Sequence, residues 1–444
     1  MVRRVVVIGA GGRDIHNFIT VLRRDPSVEV VAFLFTQIPG AEFRRVPEAV
    51  SGDRYSSGIP IYPLDMLPNI VKFYGVDEAV LCLSDLTYEE LGRIVSYVLS
   101  TGCSFRILGL KETMLDSVKP VIAVTATKTG AGKSTVSKAV VQELRRRGLR
   151  VSVVRHPMIY RDFGVQIVQV FKSLDDLDIH GITIEEREEI EPHLELGSTV
   201  LLGADYTRIL IEAEKLGDVI LWDGGNNDWP FYRPWYWITV TDSTRPGIEI
   251  GAYPGEVNIR LADAVIITKV GEAKEENISR IVDNVRKINR DAHIVKADFV
   301  VEVNNASVIS GKSVVVVEDA PTVTHGGASY GAGYVAARKF GAEVVDPRDY
   351  AVGYIKKVYE LYPGIGPVVP SLGYTPQQLR DLEETINRVP ADAVVLGTPA
   401  RIERVIKINK PVVRAFWHMK IVEGPSIQVL IDEFLSRSAP KNIY

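Results

Sequence analysis

The sequence predicts an α/β protein built on parallel sheets. Two observations carry that prediction. Short apolar runs alternate with segments of helical period along most of the chain, and parallel strands need crossover connections of that kind. Several of those runs also end in glycine-rich turns that lead into a helix.

The first run, "VVVI" at 5–8, is short and passes into glycines and then charge, so it reads as a strand rather than a secretory leader. Runs at 28–35 and 79–84 predict further strands, and 88–99 predicts a helix. A polar join at 110–120 closes this first unit. A second unit opens with a strand at 121–127. The helix after it carries Val136, Val140 and Leu144 on one face, arginines 145–147 in its last turn and Gly148 as its stop. Strands are expected at 150–154, 218–225 and 263–269, followed by a helix with Ile278, Ile281, Val282, Val285 and Ile288 inward. From about 301 the stretch "VVEVNNASVISGKSVVVVED" predicts a hairpin feeding a strand at 313–318, after which the alternation resumes. The expected domains are 1–118, 119–300 and 301–444.

Bulk composition narrows the function. A chain of 444 residues suggests about three domains. Hydrophobic content of 46% and charged content of 24% describe a globular protein. A net charge of −4 gives no sign of a basic nucleic-acid surface, and no nucleic-acid partner is expected. No apolar run reaches the ~20 residues that span a bilayer. Cys82 and Cys103 cannot build a disulfide framework and have no metal-ligand spacing around them, so they read as reduced thiols in a cytoplasmic protein.

The stretch "TKTGAGKST", 127–135, is a strand-to-helix phosphate loop. Backbone N–H groups at a helix start lack intrahelical partners and favour an anion. Thr129, Gly130, Ala131, Gly132, Lys133, Ser134 and Thr135 would cradle nucleotide phosphates. Lys133 would reach the β- and γ-phosphates, and Ser134 would ligate Mg²⁺. The usual first glycine is Thr127, and a second lysine, Lys128, stands at the front. This spelling resembles the deviant Walker A class, as in dethiobiotin synthetase and the cell-division-site ATPases. That resemblance implies that Lys128 contacts phosphates across a homodimer interface. Asp223 closes an apolar strand before "GGNND" and is the candidate second Mg²⁺ residue, with Asp228 beside it. At "ITKV", Thr268 and Gly271 replace the asparagine and aspartate of the guanine-reading motif, which favours ATP over GTP and leaves Lys269 to pack on a base.

Further anion-binding features exceed what one nucleotide needs. Arg155 and His156 follow a strand end, where ligands of doubly wound sheets collect. The acidic run 185–197 reads mostly as a solvated helix face, with Glu191 and His193 set apart around Pro192. Arg245 and Arg260 flank "PGIEIGAYPGEVN". A strand leads to Thr324, His325, Gly326 and Gly327, where glycines admit an anion and His325 would serve as acid or base.

Taken in order, "KTGAGKS", "VVRHPM", "EEREEIEPH", "WDGGNND", "RPGIEIGAYPGEVN", "EDAPTVTHGGASYGAGYVAA" and "LGTPARI" resemble the archaeal cyclic 2,3-diphosphoglycerate synthetase family and related predicted GTPases. The resemblance implies a doubly wound P-loop NTPase domain and an ATP- and Mg²⁺-dependent ligase. Its substrate would be a small phosphorylated acid such as 2,3-diphosphoglycerate, closed into a phosphoanhydride with release of ADP and phosphate. Lys128, Lys133, Asp223 and His325 would be catalytic. Arg155, His156, Glu191, His193, Arg245, Arg260, Thr324, His325, Gly326 and Gly327 would bind substrate. A nucleotide-driven switch, a metallochaperone and a kinase for a related acid are the competing readings.

In the N-terminal turn "GAGGRD", Asp14 takes the place of the third glycine of a dinucleotide fingerprint. A Rossmann-like domain resembling CoA-binding domains is expected, with Arg13, Asp14, His16 and Asn17 crowding the turn to bind a small anion.

Overall fold

Strand Arg3–Gly9 lies at the centre of a six-stranded sheet. The computed structural model describes residues 2–9, 11–35, 44–156, 167–225, 227–324 and 326–443. Arg3–Gly9 pairs in parallel with Val28–Phe35 on one side and Glu78–Leu81 on the other. Ile59–Pro63 and Ser104–Ile107 extend the sheet in parallel. Among the described residues of this sheet, only the two-residue strand Arg45–Val46 runs antiparallel, at the edge. Val5 to Ile8 are fully buried, so both sheet faces are covered, as parallel sheets require.

The second parallel sheet of this unit runs in the order Thr199–Leu202, Val151–Val154, Val219–Trp222, Val121–Ala126, Tyr236–Asp242, Ala264–Thr268 and the strand that begins at His293. One core joins it to the first sheet: Val6, Ile8 and Leu81 share a cluster with Val121, Tyr206, Trp222 and Trp237. Residues 1–170 and 198–296 therefore pack as one compact unit, completed by 422–444. The last helix, Ile427–Ser436, packs on helix Lys133–Arg146, and Arg147 pairs with Asp432 at 2.5 Å. No helix among the described residues is long and apolar enough to cross a membrane.

The second compact unit comprises 171–197 and 297–421. Its parallel strands run Val412–Glu423, Ala393–Leu396 and Ser313–Glu318, and both Glu343–Val344 and Val369–Pro370 lie beside the last of these. The expected hairpin is absent. The strand ending at Val303 neighbours Val412–Glu423, while Ser313–Glu318 pairs in parallel with Ala393–Leu396. Val314 to Val317 are all fully buried, which fits a central strand covered on both faces and not one arm of a hairpin.

The acidic helix Ile184–Glu195 also departs from expectation. Glu185, Glu186, Glu188 and Glu191 are buried rather than solvated. Each has a partner: Glu186 closes a capping box with Thr183, Glu185 accepts from Tyr374, and Glu188 accepts from Ser371 and Thr398, both at 2.6 Å. Glu191 takes Arg187 at 2.9 Å and the Arg401 backbone N–H at 2.6 Å. Buried charges persist only when paired in this way.

Candidate functional site

The phosphate loop joins strand Val121–Ala126 to helix Lys133–Arg146. Gly130 and Gly132 have φ of +85° and +92°, a region that other residues enter only under strain. The loop carbonyls, which would repel a phosphate, are held by side chains. Lys269 Nζ donates to Gly130 O at 2.9 Å, Arg245 to Thr129 O at 2.9 Å, and Thr268 Oγ1 to Ala131 O at 2.7 Å. Asp242 anchors both cations, 2.8 Å from Lys269 and 3.1 Å from Arg245. Thr129, Lys133, Ser134 and Thr135 lie at the loop and the helix entry, with Ser134 exposed.

Asp223, fully buried at the end of strand Val219–Trp222, is the electrostatic centre of this region. Lys133 Nζ donates to its Oδ1 at 2.5 Å and Ser137 Oγ to the same oxygen at 2.8 Å. The Arg155 guanidinium donates to Oδ2. Two cations on one carboxylate leave net positive charge at the loop. A phosphate that drew Lys133 away would release an Asp223 oxygen, so Asp223 and Ser134 are the residues here that could hold a divalent cation.

Lys128 is tied within the chain. Its Nζ donates to Asp85 O and stands 3.7 Å from the Asp85 carboxylate. That carboxylate also accepts from Thr129 N at 3.0 Å, Thr129 Oγ1 at 2.9 Å and Asn227 Nδ2 at 2.9 Å. Asp85, Asn227 and Lys269 are the non-glycine residues with positive φ among those described, and all three touch the phosphate loop. Gly255 fits against the loop from another side: a Cβ there would strike the backbone of Thr127.

The N-terminal turn meets the same region. Asp14 closes its own turn by accepting from Gly11 N at 3.0 Å, which occupies an amide that a dinucleotide phosphate would need. Burial raises its carboxyl to about 6. His16 is structural: it bonds Thr113 O at 2.7 Å, stacks on Phe231 at 4.1 Å, and burial lowers its pKa to about 3. Arg13 is buried, with its guanidinium 3.4 Å above the Trp229 ring. Its Nη1 lies 3.3 Å from Tyr253 Oη and 3.5 Å from Asp228 Oδ1. The other Asp228 oxygen is 3.2 Å from His156 Nε2, and His156 Nδ1 is 2.6 Å from Tyr206 Oη.

The structure thus gathers Lys128, Lys133, Arg155, His156, Asp223, Arg245 and Lys269 in one unit. Arg260 lies in that unit too, but pairs with Glu256 at 2.5 Å on a half-exposed helix face. Glu191, His193, Thr324, Gly326 and Gly327 belong to the second unit. There Thr324 Oγ1 bonds Ala320 O at 2.7 Å, and Gly327 adopts φ +69°. His325 lies outside the described residues. That unit also buries Glu318, which accepts from Gly333 N at 3.2 Å and Tyr334 N at 2.7 Å, with a carboxyl raised by burial to about 7. Glu188 is pushed well above the ordinary range by burial and by the Asp319 charge. Asp85, Asn227 and Glu318 escaped sequence reasoning; the cue that Asp85 and Glu318 offered is an acid at the carboxyl end of a parallel strand.

No protein-family model matches the chain. Arginine synthetase ArcE of Thermococcus kodakarensis is 47% identical over 433 residues, which cover 97% of each protein. Cyclic 2,3-diphosphoglycerate synthetase of Methanothermus fervidus is 25% identical over 457 residues, covering 92% of each. Among solved structures, LpxK from Aquifex aeolicus in complex with ATP aligns with a TM-score of 0.43 and 14% identity over 83% of this chain and 99% of that one.

Proposed function

The chain belongs to the family of the arginine synthetase ArcE and is an ATP-dependent ligase; from that premise we propose that it makes arginine. Arginine differs from its ureido counterpart, L-citrulline, by one nitrogen in place of one oxygen. The ureido oxygen attacks the γ-phosphorus of ATP, and ADP leaves. Ammonia then attacks the activated carbon, and the C–O bond breaks to release phosphate carrying the former ureido oxygen. One proton from the nitrogen goes to the departing phosphate. The products are arginine, ADP and inorganic phosphate.

The observation that carries this reading is the Lys133–Asp223–Arg155 cluster beside the loop. Charge develops on the transferring group, and two cations held beside the loop are positioned to stabilise it. Mg²⁺ would be held by Ser134 and Asp223, and when bound it neutralises phosphate charge. The remaining work of the protein is alignment, which in favourable cases removes roughly 7–11 kcal/mol of barrier. The buried free thiols Cys82 and Cys103 fit a reducing, cytoplasmic setting. The homodimer expected from the deviant loop belongs to this proposal, with Lys128 leaving Asp85 to reach nucleotide.

A second reading is closure of 2,3-diphosphoglycerate into its cyclic phosphoanhydride, favoured by the relative that spans 92% of both chains. It uses the same first step, phosphoryl transfer to an oxygen, followed by displacement of phosphate. The test is incubation with ATP, Mg²⁺, ammonium and L-citrulline, with arginine read by mass spectrometry. Parallel reactions with 2,3-diphosphoglycerate are read by phosphorus NMR. ATP-dependent arginine is expected; its absence, or cyclic product instead, overturns the first reading.

A further inference from the structure

The cluster around Arg13 has a polarity that the phosphoryl-transfer machinery does not use. Arg13, Asn17, His156 and Asp228 are all buried. Yet Arg13 Nε and Nη2, Asn17 Oδ1, His156 Nε2 and Asp228 Oδ1 have no hydrogen-bond partner among the described residues. Orphaned buried polar atoms are rare and cost about 1–3 kcal/mol each, more when charged. Finding several of them in one place calls for an occupant.

Their geometry says what kind. Arg13 is fixed on one side: Trp229 covers its plane at 3.4 Å, and Nη1 faces Tyr253 and Asp228. The open edge is Nε and Nη2, the fork that grips a carboxylate with two parallel bonds. One Asp228 oxygen stands 3.2 Å from His156 Nε2 without a hydrogen bond to it, and the other, 3.5 Å from Arg13 Nη1, has no hydrogen-bond partner among the described residues. The Asn17 amide nitrogen is taken by Cys82 Sγ at 3.2 Å, which leaves its oxygen as an acceptor. An open guanidinium edge beside open acceptors matches a ligand that carries a carboxylate and an ammonium close together. A ligand that is anionic throughout, such as 2,3-diphosphoglycerate, satisfies Arg13 but meets Asp228 as a like charge.

Position supports the same assignment. Arg13, His156 and Asp228 each follow the carboxyl end of a parallel strand, Arg3–Gly9, Val151–Val154 and Val219–Trp222 respectively, where ligands of such sheets collect. His156 is next to Arg155, which holds Asp223, and Asp228 is next to Asn227, which bonds Thr129 at 3.2 Å. A molecule whose head is bound here lies one residue from phosphate-loop contacts on two strands.

We propose that Arg13, Asp228 and Asn17 form the binding site for the α-amino-acid end of the acceptor substrate, with Arg13 taking the carboxylate and Asp228 and Asn17 the ammonium. The assignment rests on the arginine reading for its biological sense, but binding tests it separately. The full-length protein is titrated calorimetrically with L-arginine, with agmatine, which lacks the carboxylate, and with Nα-acetyl-L-arginine, which lacks the ammonium. L-arginine is expected to bind at least about tenfold more tightly than either analogue. Arg13→Gln should erase the preference over agmatine and Asp228→Asn the preference over the acetylated compound. If Arg13→Gln does not fold, as judged by thermal melting, Arg13→Lys keeps the charge and loses the fork, and should show the same loss. Failure of the unmodified protein to bind L-arginine, equal binding of all three compounds, or variants that keep the preference overturns the site. Arginine formation, assayed apart, separates the two ideas. Product without discrimination removes only this site, and discrimination without product removes only the arginine reading.

Discussion

The Asp223 carboxylate is gripped by Lys133 at 2.5 Å on one oxygen and by Arg155 on the other, deep inside the protein. In the proposed reaction the pair of cations is stored on this internal anion until phosphate competes for it. Lys133→Ala should lower kcat by about 10²–10³, the range for losing one preorganised donor. Asp223→Ala leaves both cations without their anion and should also cost roughly 3–5 kcal/mol of stability. Steady-state ATP turnover and urea unfolding of the two variants check this, and an inactive Asp223→Ala of unchanged stability would contradict it.

In the proposed reaction Asp85 would compete with phosphate for the loop. Its carboxylate occupies the Thr129 N–H and lies beside Lys128. Asp85→Asn keeps a residue that tolerates the left-handed backbone while removing the charge. ATP should then bind several-fold more tightly, read by nucleotide titration. Weaker binding would mean that Asp85 positions the loop instead. Sedimentation of Lys128→Ala with and without nucleotide tests the dimer in the same series.

Gly255 predicts a clash without any chemistry. A methyl group there meets the Thr127 backbone at the loop entrance. Gly255→Ala should raise KM for ATP and lower the melting temperature by a few degrees, since overpacking costs about 1–3 kcal/mol. A variant with both values unchanged would show that the loop entrance is loose.

Glu318 should make the protein less stable as pH rises. Its folded carboxyl is raised from the ordinary value to about 7, so between about 4.5 and 7 the folded state holds a proton that the unfolded chain has released. Stability from this group is present below the unfolded value and lost as pH climbs through the folded one, at about 1.4 kcal/mol per unit. Glu318→Gln carries no charge at any pH and should remove that loss. Comparing urea midpoints of the two proteins at pH 5 and pH 8 isolates the effect; parallel slopes would refute it.

Burial and the Asp319 charge push the Glu188 carboxyl well above the ordinary carboxylate range, which favours its neutral form and makes glutamine a near isostere. Glu188→Gln should change stability little, whereas Glu188→Ala strands Ser371 and Thr398 and should cost about 2 kcal/mol. Equal losses in both would mean that the group is ionised.

The phosphate loop was legible because its spacing is local: two glycines, a lysine and a serine within one turn, between an apolar strand and an amphipathic helix. Its setting was not. Asp85 reaches Thr129 across 44 residues and Arg13 reaches Tyr253 across 240, and no short pattern encodes such meetings. The acidic helix misled for the same reason. Its glutamates look solvated until Ser371 and Thr398 arrive from 183 and 210 residues away. The valine run at 314–317 announced a buried strand, but its neighbour was set by topology and not by adjacency.

The helix Ile427–Ser436 that rests on helix Lys133–Arg146 has a consequence for biosynthesis. A nascent chain that has emerged as far as residue 421 already contains every phosphate-loop residue and both central sheets. It lacks the segment that covers the outer face of the nucleotide helix, including the partner of Arg147 and the arginine that bonds Asp263 at 3.0 Å. The unit that holds the phosphate loop is therefore completed by a segment made after the whole of the second unit, although most of it is made first.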